Sequence, residues 1–364
     1  MRENKPFILI TAGGSGGHLF SAQAVASVLK KRNYKIILIT DKRVKKLLSN
    51  FPADKIKIIT SDTFTNKDLI QWPIVALKIF YALIVSLFWV IRTNPVLGIG
   101  FGGYPSLPPL LATKLLGHKV IIHEQNTVFG RANTFLSFLA DGISSGFKKI
   151  KFKSNKRINN ISFLGNPVRD EIFKYKNKNN ILDKKNIRLL IFGGSQGSSF
   201  LNDIIKETLK YFPKKILKDL YITHQTRDED ISSVRNFYKI KEIRHDVSNF
   251  FYNLPELIAQ SDIVLSRAGA STLSELAIIG KPCILIPLSN TLDGDQENNA
   301  LSLALSKAAI VYKELNLDPR KLAKEIIELI NNDEKREKLA KNIKYFGDPT
   351  ASKNIADFAE KIIG

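Results

Sequence analysis

Residues 7–18 read FILITAGGSGGH: five apolar or β-branched residues, Phe7 to Thr11, run directly into Ala12-Gly13-Gly14-Ser15-Gly16-Gly17-His18. A short apolar run that breaks at glycines and leads into a helical pattern is the signature of a buried parallel strand turning into a crossover helix. The same construction returns at 188–197, where Arg188-Leu189-Leu190-Ile191-Phe192 meets Gly193-Gly194-Ser195-Gln196-Gly197. Further short runs stand at 35–40, 96–99, 119–122, 219–223, 262–266 and 283–287, each followed by a turn signal and a helical pattern. This alternation predicts α/β architecture with parallel sheets, and the second glycine-rich start predicts two doubly wound halves.

A length of 364 residues fits two cores better than one. With 44% hydrophobic and 24% charged residues, the composition is that of a folded protein and excludes wholesale disorder. Cys283 is the single cysteine, so no intrachain disulfide can form and a reducing cytoplasm is the expected compartment. The run Phe7–Ile10 is too short for the apolar part of an export signal and is expected to be the first strand. The net charge of +21 is concentrated: residues 148–188 hold 13 Lys or Arg against 3 Asp or Glu. Such a stretch suits either an exposed connection or attraction to an anionic partner. The boundary between the halves is expected near Gly165-Asn166-Pro167, and residues 322–363 read as helices interrupted at Gly347-Asp348-Pro349.

From Trp72 to Ile91 the chain is almost continuously apolar, interrupted by Lys78. A helix there, opening at Pro73 and ending before Asn94-Pro95, has three readings. It is a buried core helix, a helix that also docks on a membrane surface, or a span. Its position between strands of one sheet argues against the span.

At the first glycine loop, backbone amides converge on a helix N-terminus, here expected near Leu19, and such a place attracts phosphate as well as serving as a plain tight turn. It is not a dinucleotide fingerprint, because a start at Gly14 demands glycine where Leu19 stands, although Asp41 ends the next strand. No Walker sequence is present: Gly280-Lys281 runs into Pro282. His18 follows the glycines at the positive end of a helix, which favours a neutral, proton-accepting imidazole, so it is a candidate general base; a structural histidine is the alternative. Gly100-Phe101-Gly102-Gly103-Tyr104-Pro105 makes a third glycine-rich turn, and His123-Glu124-Gln125-Asn126 places polar groups at a strand end, where open α/β sheets bind ligands. Zinc spacing is absent, since Thr127 stands four residues after His123. In the second half, Ser266 to Glu275 repeats the strand-to-helix pattern with small and hydroxyl residues; Glu275 is read either as a ribose ligand or as a first-turn capping glutamate. Asp293-Gly294-Asp295 is read as a loop, with no metal assigned.

Taken in order, Ala12–His18, Gly100–Tyr104, His123–Asn126, Gly165-Asn166-Pro167-Val168-Arg169, Gly193–Gly197, Arg267–Glu275 and Gln296 with Asn299-Ala300 resemble the MurG family of glycosyltransferases. The resemblance implies a GT-B fold, two Rossmann-like doubly wound domains facing a cleft. Residues 1–164 would form the acceptor- and membrane-facing domain, 165–345 the UDP-sugar domain, and 346–364 a C-terminal helix able to pack back on the first domain. It implies inverting transfer of N-acetylglucosamine from UDP-N-acetylglucosamine to the 4-hydroxyl of undecaprenyl-diphosphate-muramyl-pentapeptide in peptidoglycan synthesis, with His18 as base and no required cofactor. Metal dependence is left open. The implied donor contacts are Ser15, Gly16, Gly17, Asn126, Arg169, Ser195, Phe251, Ala270, Ser271, Thr272, Leu273, Ser274, Glu275 and Gln296. The implied location is peripheral, on the cytoplasmic face of the membrane, with an anionic lipid surface as partner. Ser15 in place of a common threonine, Ser271-Thr272 in place of a Leu-Thr order, and the basic 148–188 stretch depart from the pattern.

Two other activities compete. A UDP-N-acetylglucosamine 2-epimerase would share architecture and donor but needs no lipid acceptor, which leaves the 72–91 segment unexplained. A non-catalytic protein binding nucleic acid or anionic lipid has only the net charge in its favour. No recognition helix or aromatic-basic sheet accompanies that charge, so nucleic acid is not an expected partner.

Overall fold

The computed structural model describes residues 5–60, 72–152, 160–176, 183, 185–194 and 197–364. The chain divides into two compact units, Met1–Arg169 with Asp348–Gly364, and Asp170–Gly347.

In the first unit, β1 (Phe7–Thr11), β2 (Lys35–Asp41), β3 (Lys55–Ile59), β4 (Leu97–Gly100), β5 (Lys119–Glu124), β6 (Gly142–Ser145) and β7 (Ile161–Phe163) form one sheet in the order β3-β2-β1-β4-β5-β6-β7. Every pairing is parallel. The register puts Ile8 beside Ile36 and Leu97, and Ile10 beside Leu38 and Ile99. Because side chains alternate along a strand, Ile8 and Ile10 enter one apolar cluster and Leu9 the opposite one. Both faces must therefore be covered by helices, which is what continuous apolar strands require. One face receives α1 (Gly16–Lys31) and α13 (Ala351–Ile363), whose Ile355, Ala356 and Ala359 are fully buried in that cluster. Arg32, just past α1, donates from Nη1 to Glu360 at 2.5 Å and from Nη2 to Asp357 at 2.5 Å, tying the C-terminal helix down. The other face receives α2 (Trp72–Thr93), α3 (Leu107–Leu115) and α4 (Arg131–Leu136).

α2 is not a buried core helix. Ala82, Ser86 and Val90 pack inward, whereas Ile74, Leu77, Phe80, Tyr81, Ile84, Phe88 and Ile91 are exposed at i, i+3, i+4 spacing on the opposite face. Only 22% of its most apolar 18-residue stretch is buried. It is also the crossover between β3 and β4, two strands of one sheet, so it cannot leave the unit to cross a bilayer.

The second unit repeats the plan with β8 (Ile187–Phe192), β9 (Leu220–Gln225), β10 (Arg244–Ser248), β11 (Ile263–Ser266), β12 (Cys283–Leu285) and β13 (Ile310–Val311). The order is β10-β9-β8-β11-β12-β13, all parallel. This is the 3-2-1-4-5-6 arrangement of a dinucleotide-type domain, with the strand order reversing between β8 and β11. α5 (Ser199–Thr208), α6 (Lys214–Asp219), α7 (Ile231–Ile240), α8 (Leu254–Gln260), α9 (Ala270–Ile279), α10 (Asp295–Leu305), α11 (Pro319–Asn331) and α12 (Asp333–Ile343) complete it. Leu201 and Ile205 of α5, Val234 of α7 and Leu322, Ile326 and Leu329 of α11 bury one face of this sheet.

Candidate functional site

In each unit the strand order reverses at the carboxyl ends of two neighbouring strands, β1 and β4 in the first and β8 and β11 in the second. The glycine-rich loops leave from these ends.

After β1 the chain passes through Gly14 at φ +83° to Ser15, whose extended backbone is the N-cap of α1. The helix starts at Gly16, three residues earlier than Leu19, because an extended Ser15 lets both glycines enter the first turn. Ser15 makes no side-chain cap and the first turn has no acidic residue. The helix therefore keeps its positive end uncompensated by either device. His18 is thus the third helical residue and its ring lies over the third glycine loop. A Cβ on Gly102 would come within 3.1 Å of His18 Cε1 and 3.3 Å of Nδ1. That loop is locked to the first, since a Cβ on Gly103 would sit 2.4 Å from the carbonyl oxygen of Gly13. Thr11 O accepts from Phe101 N at 2.9 Å, binding the two turns together.

Beside them, β5 ends in His123 and Glu124, both buried. Burial, with the nearby His18 as a minor contributor, lowers the His123 pKa to about 4 against a hydrogen bond to Asn166, so its ring is neutral at physiological pH. Asn166 donates from Nδ2 to Gln125 O at 2.9 Å and so turns Oδ1 towards His123 Nε2, 3.1 Å away. With this amide orientation Nε2 carries the proton, and Nδ1, 3.0 Å from Ser144 Oγ, is the acceptor. Gly146 has to be glycine here, because a Cβ would lie 2.0 Å from Asn166 Oδ1. Burial raises the Glu124 pKa, although four donors oppose it. Oε1 accepts from Asn126 N at 2.9 Å and Nδ2 at 3.2 Å, and Oε2 from Gly130 N at 3.0 Å and Asn133 Nδ2 at 2.8 Å. This carboxylate folds the loop that presents Asn126. Arg169 lies in the same unit, its guanidinium 4.2 Å from the ring centroid of Phe20 on α1.

In the second unit, Ser195 and Gln196 lie outside the described residues. Gly194 and Gly197 on either side have φ of +90° and +67°. After β11, Gly269 is the N-cap of α9 and again makes no side-chain bond, so Ala270, Ser271 and Thr272 form an uncapped first turn without an acidic residue. Leu273 is buried, and Ser274 Oγ donates to Ala270 O at 2.9 Å, so its hydroxyl serves the helix. Glu275 is the sixth residue of α9 and 4% exposed. The first-turn capping role weighed for it does not apply, because the helix begins at Ala270. Gln296, second residue of α10, accepts through Oε1 from Ala268 N at 3.3 Å and Leu288 N at 3.1 Å, joining the loops after β11 and β12. Phe251 is half-buried after β10, beside Phe250 and Tyr252, whose rings meet edge to face at 4.9 Å.

The residue that sequence reasoning left out of this site is Arg267. It is 6% exposed and donates to Ile286 O at 3.1 Å, Ser198 Oγ at 2.9 Å and Glu314 Oε1 at 3.0 Å. Glu314 Oε2 in turn accepts from Ser289 N at 3.3 Å and Oγ at 3.2 Å. One part-buried ion pair thereby holds the loops after β8, β11, β12 and β13. Burial would raise the Glu314 pKa, but the hydrogen bond and charge of Arg267, together with the two bonds from Ser289, outweigh it and the net shift is downwards. Of Asp293-Gly294-Asp295, read as a loop, Asp293 lies in a turn and Gly294 at φ +64° is the N-cap of α10, but Asp295 is the first residue of that helix. Among the described residues, no group of three or more His, Cys, Asp and Glu side chains is placed to hold a metal ion.

Residues 8–145 match the glycosyltransferase family 28 N-terminal domain, and 188–360 the family 28 C-terminal domain. The chain is 37% identical over 366 residues to the UDP-N-acetylglucosamine–N-acetylmuramyl-(pentapeptide) pyrophosphoryl-undecaprenol N-acetylglucosamine transferase of Brucella suis biovar 1, covering 99% of this chain and 95% of that one. It is 36% identical to the enzyme of the same name from Agrobacterium fabrum, with the same coverage. Among solved structures it is similar to MurG of Acinetobacter baumannii, with a TM-score of 0.77 and 26% identity, covering 98% of this chain and 99% of that one. The UDP-GlcNAc 2-epimerase of Neisseria meningitidis, bound to UDP-GlcNAc, has a TM-score of 0.68 at 16% identity, over 98% of this chain and 100% of that one, a likeness of fold alone. Two doubly wound units of this kind are the GT-B architecture, and with both domain models matched and relatives aligned from end to end, the chain belongs to glycosyltransferase family 28.

Proposed function

We propose that this glycosyltransferase moves N-acetylglucosamine from UDP-N-acetylglucosamine to the 4-hydroxyl of undecaprenyl-diphosphate-muramyl-pentapeptide, with inversion and release of UDP. The observation that carries this reading is the alignment over 99% of the chain with relatives named for that transfer. The uncapped glycine-loop helices are consistent with it, because both substrates carry a diphosphate.

The acceptor oxygen attacks the anomeric carbon as the bond to the UDP oxygen breaks, and the hydroxyl proton must leave as the new bond forms. His18 takes that proton in this reading; its place in the first turn of α1, against the Gly102 loop, supports the assignment. The leaving diphosphate gathers charge, which backbone amides at the α9 N-terminus stabilise without a required metal. Ser15, Gly16, Gly17, Asn126, Arg169, Ser195, Phe251, Ala270–Glu275 and Gln296 contact the donor; for Leu273 and Ser274, whose side chains serve the core and the helix, the contact is through the backbone. His18→Ala should abolish turnover while leaving UDP-N-acetylglucosamine binding within about twofold, and an active variant removes His18 as base.

The acceptor is lipid-linked, and the exposed stripe of α2 supports docking at the cytoplasmic membrane face. Each large side chain fully withdrawn from water contributes about 1.5–3 kcal/mol, and a basic residue such as the exposed Arg92 about 1 kcal/mol near anionic lipid. The test of the whole reading is transfer of radiolabelled sugar to a polyprenyl-diphosphate-muramyl-peptide in detergent, with and without EDTA. No transfer by folded protein refutes the function, loss in EDTA refutes metal independence, and N-acetylmannosamine made from donor alone points to an epimerase.

A further inference from the structure

The loop after β1 has a neighbour that neither the motifs nor the proposed donor contacts include. Asp41 ends β2 with its side chain buried, and the 3-10 segment Lys42–Asn50 begins immediately after it. Its Oδ1 accepts from Arg43 N at 3.2 Å, and its Oδ2 accepts from Arg43 Nε at 2.6 Å and pairs with Nη2 as well. Two donors on one carboxylate oxygen fix the plane of the guanidinium. The plane is held against the glycine loop. A Cβ on Gly14 would lie 3.4 Å from Nη2 and 3.6 Å from both Cζ and Nη1, while one on Gly13 would lie 3.5 Å from Asp41 Cγ. Among the described residues nothing pairs with Nη1, and the Arg43 side chain is 44% exposed against 3% for Asp41. The pair is therefore a buried anion beneath an outward, oriented cation, placed beside the loop that opens α1.

We propose that Arg43 binds the diphosphate of the prenyl-linked acceptor, with Asp41 as its positioning residue. The inference rests on the proposed function. Two substrates each bring a diphosphate. The leaving UDP diphosphate has the α9 N-terminus of the second unit, and the donor contacts of the first loop begin only at Ser15, the N-cap of α1; Arg43 packs on Gly14 ahead of them, which leaves its outward Nη1 to the diphosphate of the acceptor. A planar fork with a free N–H suits a phosphate oxygen better than a lysine ammonium does.

The experiment uses the full chain in detergent, with Arg43→Gln and Arg43→Lys, whose side chain is partly exposed and carries little of the core. Arg43→Gln should raise the acceptor KM about tenfold or more with donor KM within about twofold, and Arg43→Lys should fall between the two, as expected for losing one charge-assisted contact. Farnesyl diphosphate, a prenyl diphosphate without sugar, should weaken as an inhibitor by the same factor, and farnesol should not. An unchanged acceptor KM and unchanged farnesyl diphosphate inhibition overturn the proposal and leave Arg43 as a lock on the Asp41 turn; a rise in donor KM instead assigns it to the nucleotide and also overturns it. Direct binding of farnesyl diphosphate to wild type and variants keeps the two claims separable. If wild type transfers no sugar the function fails, yet binding lost in Arg43→Gln still supports Arg43, and equal binding refutes it.

Discussion

Gly103→Ala tests whether the first and third glycine loops are one rigid piece. Gly103 has φ +78° and ψ 152°, a region that side chains other than glycine enter at a cost of about 1–3 kcal/mol. The new Cβ would also stand 2.4 Å from Gly13 O and 3.2 Å from Gly13 C, and backbone cannot swing away as a side-chain tip can. Either the Gly13–Gly17 loop or the 100–105 turn must shift by several tenths of an ångström. The combined cost should be about 2–4 kcal/mol, lowering the melting temperature of the first unit by about 5–15 °C. His18 rides on one loop and packs on the other, so kcat/KM should drop by about a hundredfold, the scale associated with misplacing reacting groups by about an ångström. Gly117→Ala is the control. Gly117 has φ +80° but nothing within 4 Å of a Cβ, so it should show only the conformational part, about 1–2 kcal/mol, and full activity. Differential scanning fluorimetry and steady-state kinetics on both variants decide the matter. Equal melting temperatures, or a Gly103→Ala enzyme with wild-type kcat/KM, refute the interlock.

Glu314 has its folded pKa held below the unfolded value, so the stability it confers is present at neutral pH and disappears as pH falls through the folded pKa. Glu314→Gln should therefore destabilise the second unit at pH 7 and flatten the acid limb of its unfolding-midpoint profile, measured by urea titration at several pH values. Lys281 has the opposite sign. Buried, with Nζ donating to Ser261 O at 2.9 Å, it has its pKa lowered by burial to about 8, against Asp262. It therefore costs stability at neutral pH, and the cost lessens as pH rises from about 8 towards the unfolded value. Lys281→Met should recover up to about 3 kcal/mol at pH 7 and remove the alkaline rise, a gain that denaturant melts would register. On α2, Leu77→Glu with Phe80→Glu should cut sedimentation with anionic vesicles severalfold while leaving kcat in detergent within about twofold, since both side chains are exposed. Unchanged vesicle binding would rule out this face as the docking surface.

The alternation of short apolar runs with helical patterns was enough to read two doubly wound halves, because strands covered on both faces need apolar residues at every position, as Ile8, Leu9 and Ile10 show. Strands at the margins were illegible for the same reason. β10 is Arg244-His245-Asp246-Val247-Ser248, with only Val247 buried, and β13 is two residues long; both lie at sheet edges, where one neighbour suffices and the apolar pattern lapses. The glycine loops and the 123–126 cluster could be found by residue type, since a tight turn beside a helix terminus leaves few choices of side chain. Where α1 and α9 begin could not, and with it went the place of His18 in the first turn and the second-turn position of Glu275.

By itself the sequence determined which residues are apolar on which period, where the chain must turn, and which blocks recur in this family. Tertiary structure alone decided that Asp41 holds Arg43 against Gly14, that Arg267 reaches Glu314 47 residues away, that Asn166 sets the tautomer of His123, and that the α2 stripe from Ile74 to Ile91 is exposed. The physical reason is common to all four. Local patterns report on the backbone and on burial over a few residues, whereas ion pairs, hydrogen bonds and uncovered faces depend on which strands the topology sets side by side, and β1 has its neighbours in β2 and β4, distant in sequence and adjacent in space.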